Sequence, residues 1–335
     1  MKLTIQRSRK IRITRKVSEY WSVHTHSRFS ANDALPSVDS LVERAKQLGY
    51  PALGLTDHGN MAGTVQLYLA CQKAGIKPFP GTEIYLVHNR ENKNAKRYHA
   101  CVVAFSNTGY KNLVKLNTRA HRQFHYKPIL DLADLAEMAE AGETEGLAFT
   151  TGCYFGMVVQ TLINDGPSVA QALVASFAQW FPDATYVELQ HHHIDQEPMD
   201  EQRIEYELGW IAYNLNLPVI ITQDSHYTNP EDKEHHESLK RLVSWSPDAD
   251  EAVFPGDSFH LADDTWMKEH HEYYENGIDG LNHLLAKHTL TIPELDHYEY
   301  RVPFTTAEPQ ETLSVRTHHL LADYISDKNN TGVGF

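Results

Sequence analysis

The sequence predicts an α/β barrel carried by a parallel sheet, and three observations predict it. Short apolar runs alternate with helical patterns along most of the chain, the order that builds a parallel sheet. Nine candidate metal ligands fall at the ends of seven predicted strands, and parallel strands aim their ends at one face. The length of 335 residues accommodates one barrel domain of roughly 200–300 residues with appendages.

Residues 1–16 are basic (Lys2, Arg7, Arg9, Lys10, Arg12, Arg15, Lys16), and Ile11, Ile13 and Val17 alternate with polar residues, the period of an edge strand or an arm. Strands are expected at 20–23, 52–55, 84–87, 100–105, 147–149, 186–189 and 219–221. Between the first two, Ser37 caps a helix whose apolar face is Val38, Leu41, Val42, Ala45 and Leu48; Gly49 stops it and Pro51 returns the chain to a strand. A helix from about residue 168 is expected to turn Val169, Leu173, Phe177 and Trp180 inward, and another carries Ile204, Leu208, Ile211 and Leu215 before Pro218. A third starts at Asn229-Pro230, a cap and first-turn pair. No internal repeat or low-complexity tract occurs, which excludes solenoids and propellers. After Tyr300 the pattern is weak and the end, Lys328-Asn329-Asn330-Thr331-Gly332, is polar, so fraying is expected there.

A formal net charge of −14 excludes a global positive field that would hold nucleic acid, leaving local patches or metal for steering. Three cysteines, Cys71, Cys101 and Cys153, are too scattered for a CxxC site or a disulfide framework, which fits a reducing cytoplasm. No run of about 18 apolar residues exists, and Met1-Lys2-Leu3-Thr4-Ile5 lacks the apolar core of a signal peptide. A soluble, unexported protein with no membrane partner is expected. Of the 21 histidines, His191-His192-His193, His235-His236 and His270-His271 read as solvated faces. The first cluster, near a strand end, is also a candidate for substrate contact.

His24 and His26 lie two apart, so in a strand both imidazoles share a side. The next strand ends Leu55-Thr56-Asp57-His58; His58 can coordinate, and Asp57 can coordinate or hold a neighbouring imidazole in its tautomer. Glu83 can bridge two ions with its two oxygens. His99 precedes Cys101-Val102-Val103, Cys153 follows Thr150-Thr151-Gly152, and Asp224-Ser225-His226 closes the set. Cys101 shares the face of His99 but reads as a small core residue. Imidazole, carboxylate and thiolate together suit Zn, Mn or Fe rather than the all-oxygen shells of Ca or Mg. A closed structural zinc takes about four ligands, so the set implies two or three ions. Paired ions lower the pKa of water to roughly 7 and clamp a phosphoryl group, which makes phosphoester hydrolysis the natural chemistry, with a hydroxide held over His24, His26, Glu83 and Asp224 as nucleophile.

His24-Thr25-His26-Ser27, the run from Leu55 to Gly63 (LTDHGNMAG), Gly75-Ile76-Lys77-Pro78, Asn107-Thr108-Gly109-Tyr110-Lys111-Asn112-Leu113, Thr151-Gly152-Cys153 and Asp224-Ser225-His226-Tyr227 resemble the polymerase and histidinol phosphatase (PHP) domain of bacterial C-family replicative polymerases, the DNA polymerase III alpha subunit. Motif order and spacing agree from about Tyr20 to the mid-290s. The resemblance implies a distorted (β/α)7 barrel with a trinuclear centre: one ion on His24, His26, Glu83 and Asp224, a second sharing Glu83 with His99 and Cys153, and a third on Asp33, His58 and His226. Asp33 enters only through the resemblance; by itself it reads as a turn residue. Gln223 stands where the family usually has Asn, Thr151 where Ser is common, and the basic first 16 residues are longer than expected; none of these removes a ligand. Val302-Pro303-Phe304 and Glu311-Thr312 resemble the segment leading into the polymerase palm, and the chain ends at Phe335, before the carboxylates of nucleotidyl transfer. The expected division is a basic extension 1–16, a PHP metallohydrolase domain 17–295 and a linker-like tail 296–335, with no polymerase activity.

Members of this family with all ligands resemble metal-dependent 3′–5′ exonucleases, so the resemblance implies proofreading-type hydrolysis of DNA 3′ ends, single strands foremost. Contacts to DNA are expected from the N-terminal arm and from Arg119, His121, Arg122, His125 and Lys127 beside Phe124 and Tyr126; the alternative is an ordinary basic loop. Two other functions compete: a small-molecule phosphomonoesterase of the histidinol-phosphatase type, and a non-catalytic scaffold docking onto a separate polymerase or replisome subunit.

Overall fold

The computed structural model describes residues 17–291 except 93, 194–199, 245–253, 255 and 257. The expectations for the arm at 1–16 and the tail at 296–335 lie outside the described residues. No described helix is long and apolar enough to cross a membrane.

Seven strands form one sheet: β1 Ala52–Leu55, β2 Lys77–Val87, β3 Tyr98–Ala104, β4 Ile129–Asp131, β5 Leu147–Thr150, β6 Thr185–Gln190 and β7 Val219–Thr222. Their order is β1-β2-β3-β5-β6-β7, with β4 paired to β2. Helices α1 Val38–Leu48, α2 Thr64–Ala74, α3 Asn107–Arg122, α4 Leu132–Glu140, α5 Met157–Asp165, α6 Pro167–Trp180, α7 Glu201–Leu215, α8 Lys233–Val243, α9 Asp264–His270 and α10 Tyr274–Ala286 complete the layer around it. This is the mixed α/β fold with a curled half-barrel sheet that the alternating pattern implied.

The sheet is not wholly parallel. β3 runs antiparallel to both β2 and β5, because the described residues of the 88–97 connection form no helix to carry the chain back across the sheet. Reversal puts the start of β3 at the end of the sheet where the other strands finish, so His99 joins the same face as the strand-end ligands. The short β4 was not expected, and 20–23 is not a strand. Its neighbourhood instead closes the curl: Gly54 N donates to Ser22 O and Thr56 N to Thr25 O on one side, while His26 N donates to Ser225 O on the other. The approach requires glycine at 54, where a Cβ would lie 2.1 Å from the Val23 carbonyl oxygen.

Local signals act as written in the sequence. Ser37 Oγ accepts from Ser40 N, and Gly49 ends α1 in the left-handed region at φ 85°. Asn229 and Asp232 form a reciprocal cap on the single turn before α8. In α6, which starts at Pro167, the inward residues are Ala170, Val174 and Phe177, Leu173 and Trp180 are partly buried against the core, and Val169 is exposed. Phe177 stacks on Phe149 of β5, and Trp21 stacks on Phe79 of β2, so the core lies between sheet and helices.

Candidate metal centre

Each ligand candidate arrives on backbone fixed by the sheet. His24 and His26 lie in the closing segment between β1 and β7; His58 follows β1; Glu83 sits in β2 directly opposite Cys101 of β3; Cys153 follows β5; Asp224 and His226 follow β7. Asp224 adopts φ 45°, a left-handed conformation uncommon outside glycine and the short polar residues and concentrated at functional sites.

The side chains converge on one another, His58 Nδ1 and Glu83 Oε2 most closely. Among the described residues, His24 Nε2, His26 Nε2, His58 Nδ1, Glu83 Oε2, Asp224 Oδ1 and His226 Nε2 are buried and have no hydrogen-bond partner. Yet Asp224 Oδ1 is 3.1 Å from both His24 Nε2 and His26 Nε2, and Glu83 Oε1 is 3.3 Å from His24 Nε2 and 3.2 Å from His99 Nδ1. Cys153 Sγ lies 3.6 Å from His99 Nδ1 and 3.9 Å from Glu83 Oε1. Ligands around an ion with bonds of about 2.0–2.3 Å stand roughly 3–3.7 Å apart, so these atoms face one another as ligands do, and the residues fit divalent ions. Four sets of three bring their ligand atoms within 4.8 Å of one another: His24, His26 and Asp224; Glu83, His99 and Cys153; His24, Glu83 and Cys101; and His26, His58 and His226. Cys101, expected as core, is fully buried and also belongs to one of these sets.

The electrostatics demand positive charge. Burial opposes ionisation of Glu83 and Asp224, but His99 and His58 around the first and His24 and His226 around the second hold both well below the usual carboxylate range. Burial also opposes a charge on His24 and His58, yet Cys101, Asp224 and Glu188 raise the first well above its ordinary value, and Glu83 and Asp33 push the second up to about 10. His26 is pushed down to about 3 by burial and by the neighbouring His226 and His58. Burial, with Asp224 and Glu83, pushes the Cys153 thiol up, so a thiolate there needs a cation. Protons on His24 and His58 stand where divalent ions would, and binding an ion displaces them.

Supporting contacts orient the ligands. Glu188 of β6 accepts from His24 Nδ1 at 2.6 Å, from Thr222 Oγ1, from Gly152 N and from Thr150 Oγ1, which fixes the ring with Nε2 toward the centre. Asp57 is no ligand in this arrangement. It accepts from Ser27 N, Ser27 Oγ and Ser30 Oγ at 2.7–2.8 Å, and Ser30 Oγ in turn meets His26 Nδ1 at 2.9 Å. Asp33 stands apart from the four sets: Oδ2 is 2.6 Å from His58 Nε2, and Oδ1 accepts from Lys240 Nζ. Glu188, Arg97 and Lys240 escaped the sequence reading. Only Glu188 carried a signal, as the one charged residue in the Tyr186-Val187-Glu188-Leu189 run.

Above the centre is a cavity of about 270 Å³ with Arg97, Tyr154, Phe155, His192, Phe254 and Phe259 in its wall. His192 stacks on Phe259 at 4.0 Å, while the His191 and His193 rings pack near His270. Arg97 Nη2 donates to His125 O, joining the cavity to the 123–127 turn, where Phe124 and Tyr126 are exposed and Lys127 Nζ lies over Tyr85. Arg119, His121 and Arg122 belong to the last turn of α3 rather than to a loop. Arg119 is taken up by Glu137 at 2.8 Å and Asp134 at 3.5 Å, and His121 Nε2 by Gly59 O.

The PHP domain family profile matches residues 22–192. The chain is 34% identical over 237 residues to the DNA polymerase III subunit alpha of Aquifex aeolicus, covering 67% of this chain and 20% of that one. It is 29% identical over 282 residues to that of Treponema pallidum, covering 81% and 23%. The chain therefore spans about a fifth of the length of these curated relatives. Among solved structures, a protein assigned as a metal-dependent phosphoesterase from Bifidobacterium adolescentis aligns with TM-score 0.46 and 15% identity over 80% of this chain and 96% of that one.

Proposed function

Because the chain belongs to the PHP domain family, we propose that it is a metal-dependent phosphodiesterase that removes nucleotides from DNA 3′ ends, a 3′–5′ exonuclease of the proofreading type. The observation that carries this reading is the convergence of six buried ligand atoms, facing one another beneath one cavity. Two or three divalent ions there, Zn, Mn or Fe by donor set, would supply Lewis acidity and lower the pKa of water.

The chain's own residues do the rest. Glu188 holds the His24 tautomer through Nδ1, and the Ser30–Asp57 pair does the same for His26. Arg97, with its buried Nε unpartnered among the described residues, offers a donor for a phosphate oxygen. Tyr154, Phe155, Phe254 and Phe259 give apolar walls for a sugar and base. Exposed Phe124 and Tyr126 beside Lys127 supply stacking and local charge for the strand behind the scissile bond. With a chain of net charge −14, that patch and the ions are the attractive features for DNA among the described residues, alongside the basic stretch 1–16.

The test is hydrolysis of 5′-labelled single-stranded DNA in Mn²⁺ by the wild type and His24→Ala/Asp224→Ala, with a phosphomonoester in parallel. Stepwise shortening lost on the order of 10³-fold in the double variant is expected, the size of several kcal/mol of lost transition-state stabilisation. Cleavage of the monoester alone would replace the exonuclease with a small-molecule phosphatase, and silence on both substrates with a scaffold.

A further inference from the structure

Helix α7 buries Ile204, Leu208, Ile211 and Ala212 in the core and turns its opposite face to solvent. A helix of this kind ordinarily carries charged and polar residues outside. Here Tyr206, Trp210 and Tyr213 are 62%, 52% and 77% exposed, and they form one stripe in which the Trp210 and Tyr213 rings stack at 5.8 Å. Exposed Arg203 stands one turn before them. Trp, Tyr and Arg are the side chains that carry binding energy at protein interfaces. Three aromatic residues exposed to that extent present roughly 300–450 Å² in one place, the size at which a surface patch marks an interaction site.

The stripe is nearly symmetric about its centre. By the helical rise, Tyr206 lies about 6 Å before Trp210 and Tyr213 about 4.5 Å after it. A twofold axis crossing α7 at Trp210 therefore sets Trp210 against itself and Tyr206 against Tyr213 of a second copy, as an isologous pair requires. The two ends of the helix are complementary rather than alike. At the C-terminal end a groove of about 440 Å³ opens between α7 and α10, walled by Tyr213, Asn216, Tyr273, Asn276 and Asp279. It is preformed, because Gly209 lets Tyr273 lie so near that a Cβ there would be 2.8 Å from the ring. Antiparallel pairing carries Tyr206 of one copy to the mouth of this groove on the other. It also brings Arg203 to the end where exposed Asp279 and the last carbonyls of α7 stand. Parallel pairing would set Arg203 against Arg203 and Asp279 against Asp279, so charge selects the antiparallel arrangement.

We propose that the outer face of α7 is a homodimer interface, on which a second copy of this chain lies antiparallel, with Trp210 at the twofold axis and Arg203 and Tyr206 seated at the other copy's groove. The aromatic stripe supplies about half of the roughly 800 Å² per partner that a stable interface buries. The groove and the polar residues around it make up the remainder. Nothing in this pairing depends on the metal centre or on the reaction proposed for it.

The test is sedimentation velocity of the full chain across the micromolar range, with circular dichroism melts to confirm that each variant folds. A concentration-dependent dimer is expected in the wild type. Trp210→Glu, which sets two carboxylates against each other at the axis, is expected to raise the dissociation constant at least about 30-fold. Arg203→Asp and Asp279→Arg are each expected to raise it about tenfold, and Arg203→Asp/Asp279→Arg to recover most of that loss. A wild type that stays monomeric throughout would overturn the proposal and leave the stripe to a partner of another kind. A dimer that folded Trp210→Glu does not weaken would overturn it too, by placing the interface elsewhere. A dimer that depends on Trp210 but gains nothing from the double exchange would overturn the antiparallel register.

Discussion

Two clusters of buried histidine and glutamate lie in this molecule, and they respond to burial in opposite ways. Around His24 and Glu83, carboxylates are held far below their usual range and two imidazoles are pushed up. Around His271 and Glu205, whose Nδ1 and Oε1 are 3.3 Å apart, burial and the nearby Glu272 push Glu205 up to about 8, and burial and His270 push His271 down to about 3. Both clusters contain buried atoms without hydrogen-bond partners among the described residues, so orphaned atoms alone do not mark a metal site. The difference is charge density: an isolated acid and imidazole escape desolvation by staying neutral, whereas several carboxylates facing several imidazoles keep their charges and call for a cation.

The comparison breaks first at Glu188. If the centre is charged and ion-demanding, the carboxylate that holds His24 Nδ1 at 2.6 Å raises the basicity of the ligand as well as fixing its ring. Glu188→Gln is expected to weaken metal binding about 10–100-fold, measured by competition with a chromophoric chelator, with the fold retained by circular dichroism. Unchanged affinity would mean that Glu188 is a packing residue like its neighbours in β6. Proton release sharpens the same contrast. His58, raised to about 10, is protonated at neutral pH in the ion-free protein, so metal binding must displace its proton. Affinity is expected to rise by up to about tenfold per pH unit between pH 6 and 9 for each proton displaced. Calorimetry in buffers of different ionisation enthalpy reads the number directly, and a value of zero would contradict the charged state assigned to this cluster.

Much of the first cluster was legible because its residues follow apolar runs: His58, Cys153 and Asp224 stand where β1, β5 and β7 finish, and side chains there are fixed by strands whose own sequences announce them. What escaped was set at long range. The 20–23 segment is apolar enough for a strand, but Gly54 N of β1 bonds it at Ser22 O, and the bonds on the other side come later, between His24 and His26 and Ser225 beyond β7, which no local pattern encodes. The reversal of β3 was readable in principle from the 88–97 connection, whose described residues form no helix, and β4, three residues long, lies below the length at which alternation shows. Lys240 meets Asp33 across 207 positions, and Asp33 itself, a turn residue by sequence, became a ligand candidate only by resemblance. The second cluster was equally hidden: Glu205 follows the inward Ile204 on α7 and drew no reading of its own, and His271 stands in a pair that read as a solvated face.

The smallest effect tests that second cluster through stability. A carboxyl whose folded pKa, about 8 for Glu205, exceeds its unfolded value near 4.3 favours the folded state fully below pH of about 4.3, and that contribution is lost as pH rises toward 8. His271, lowered to about 3, acts on the other limb: its contribution is present above pH of about 6.5 and is lost as pH falls toward 3. Glu205→Gln stays neutral throughout, so its stability relative to wild type is expected to grow across pH 5–8 and to leave the acid limb unchanged. Water entry relieves part of the cost of charging Glu205 in the wild type, which leaves a gain on the order of 1 kcal/mol at pH 8, a rise in Tm of about 2–4 °C. A flat difference across that range would mean that Glu205 is ionised in the folded protein beside a charged His271. The two clusters would then be alike, and charge density would no longer separate a metal centre from a buried pair.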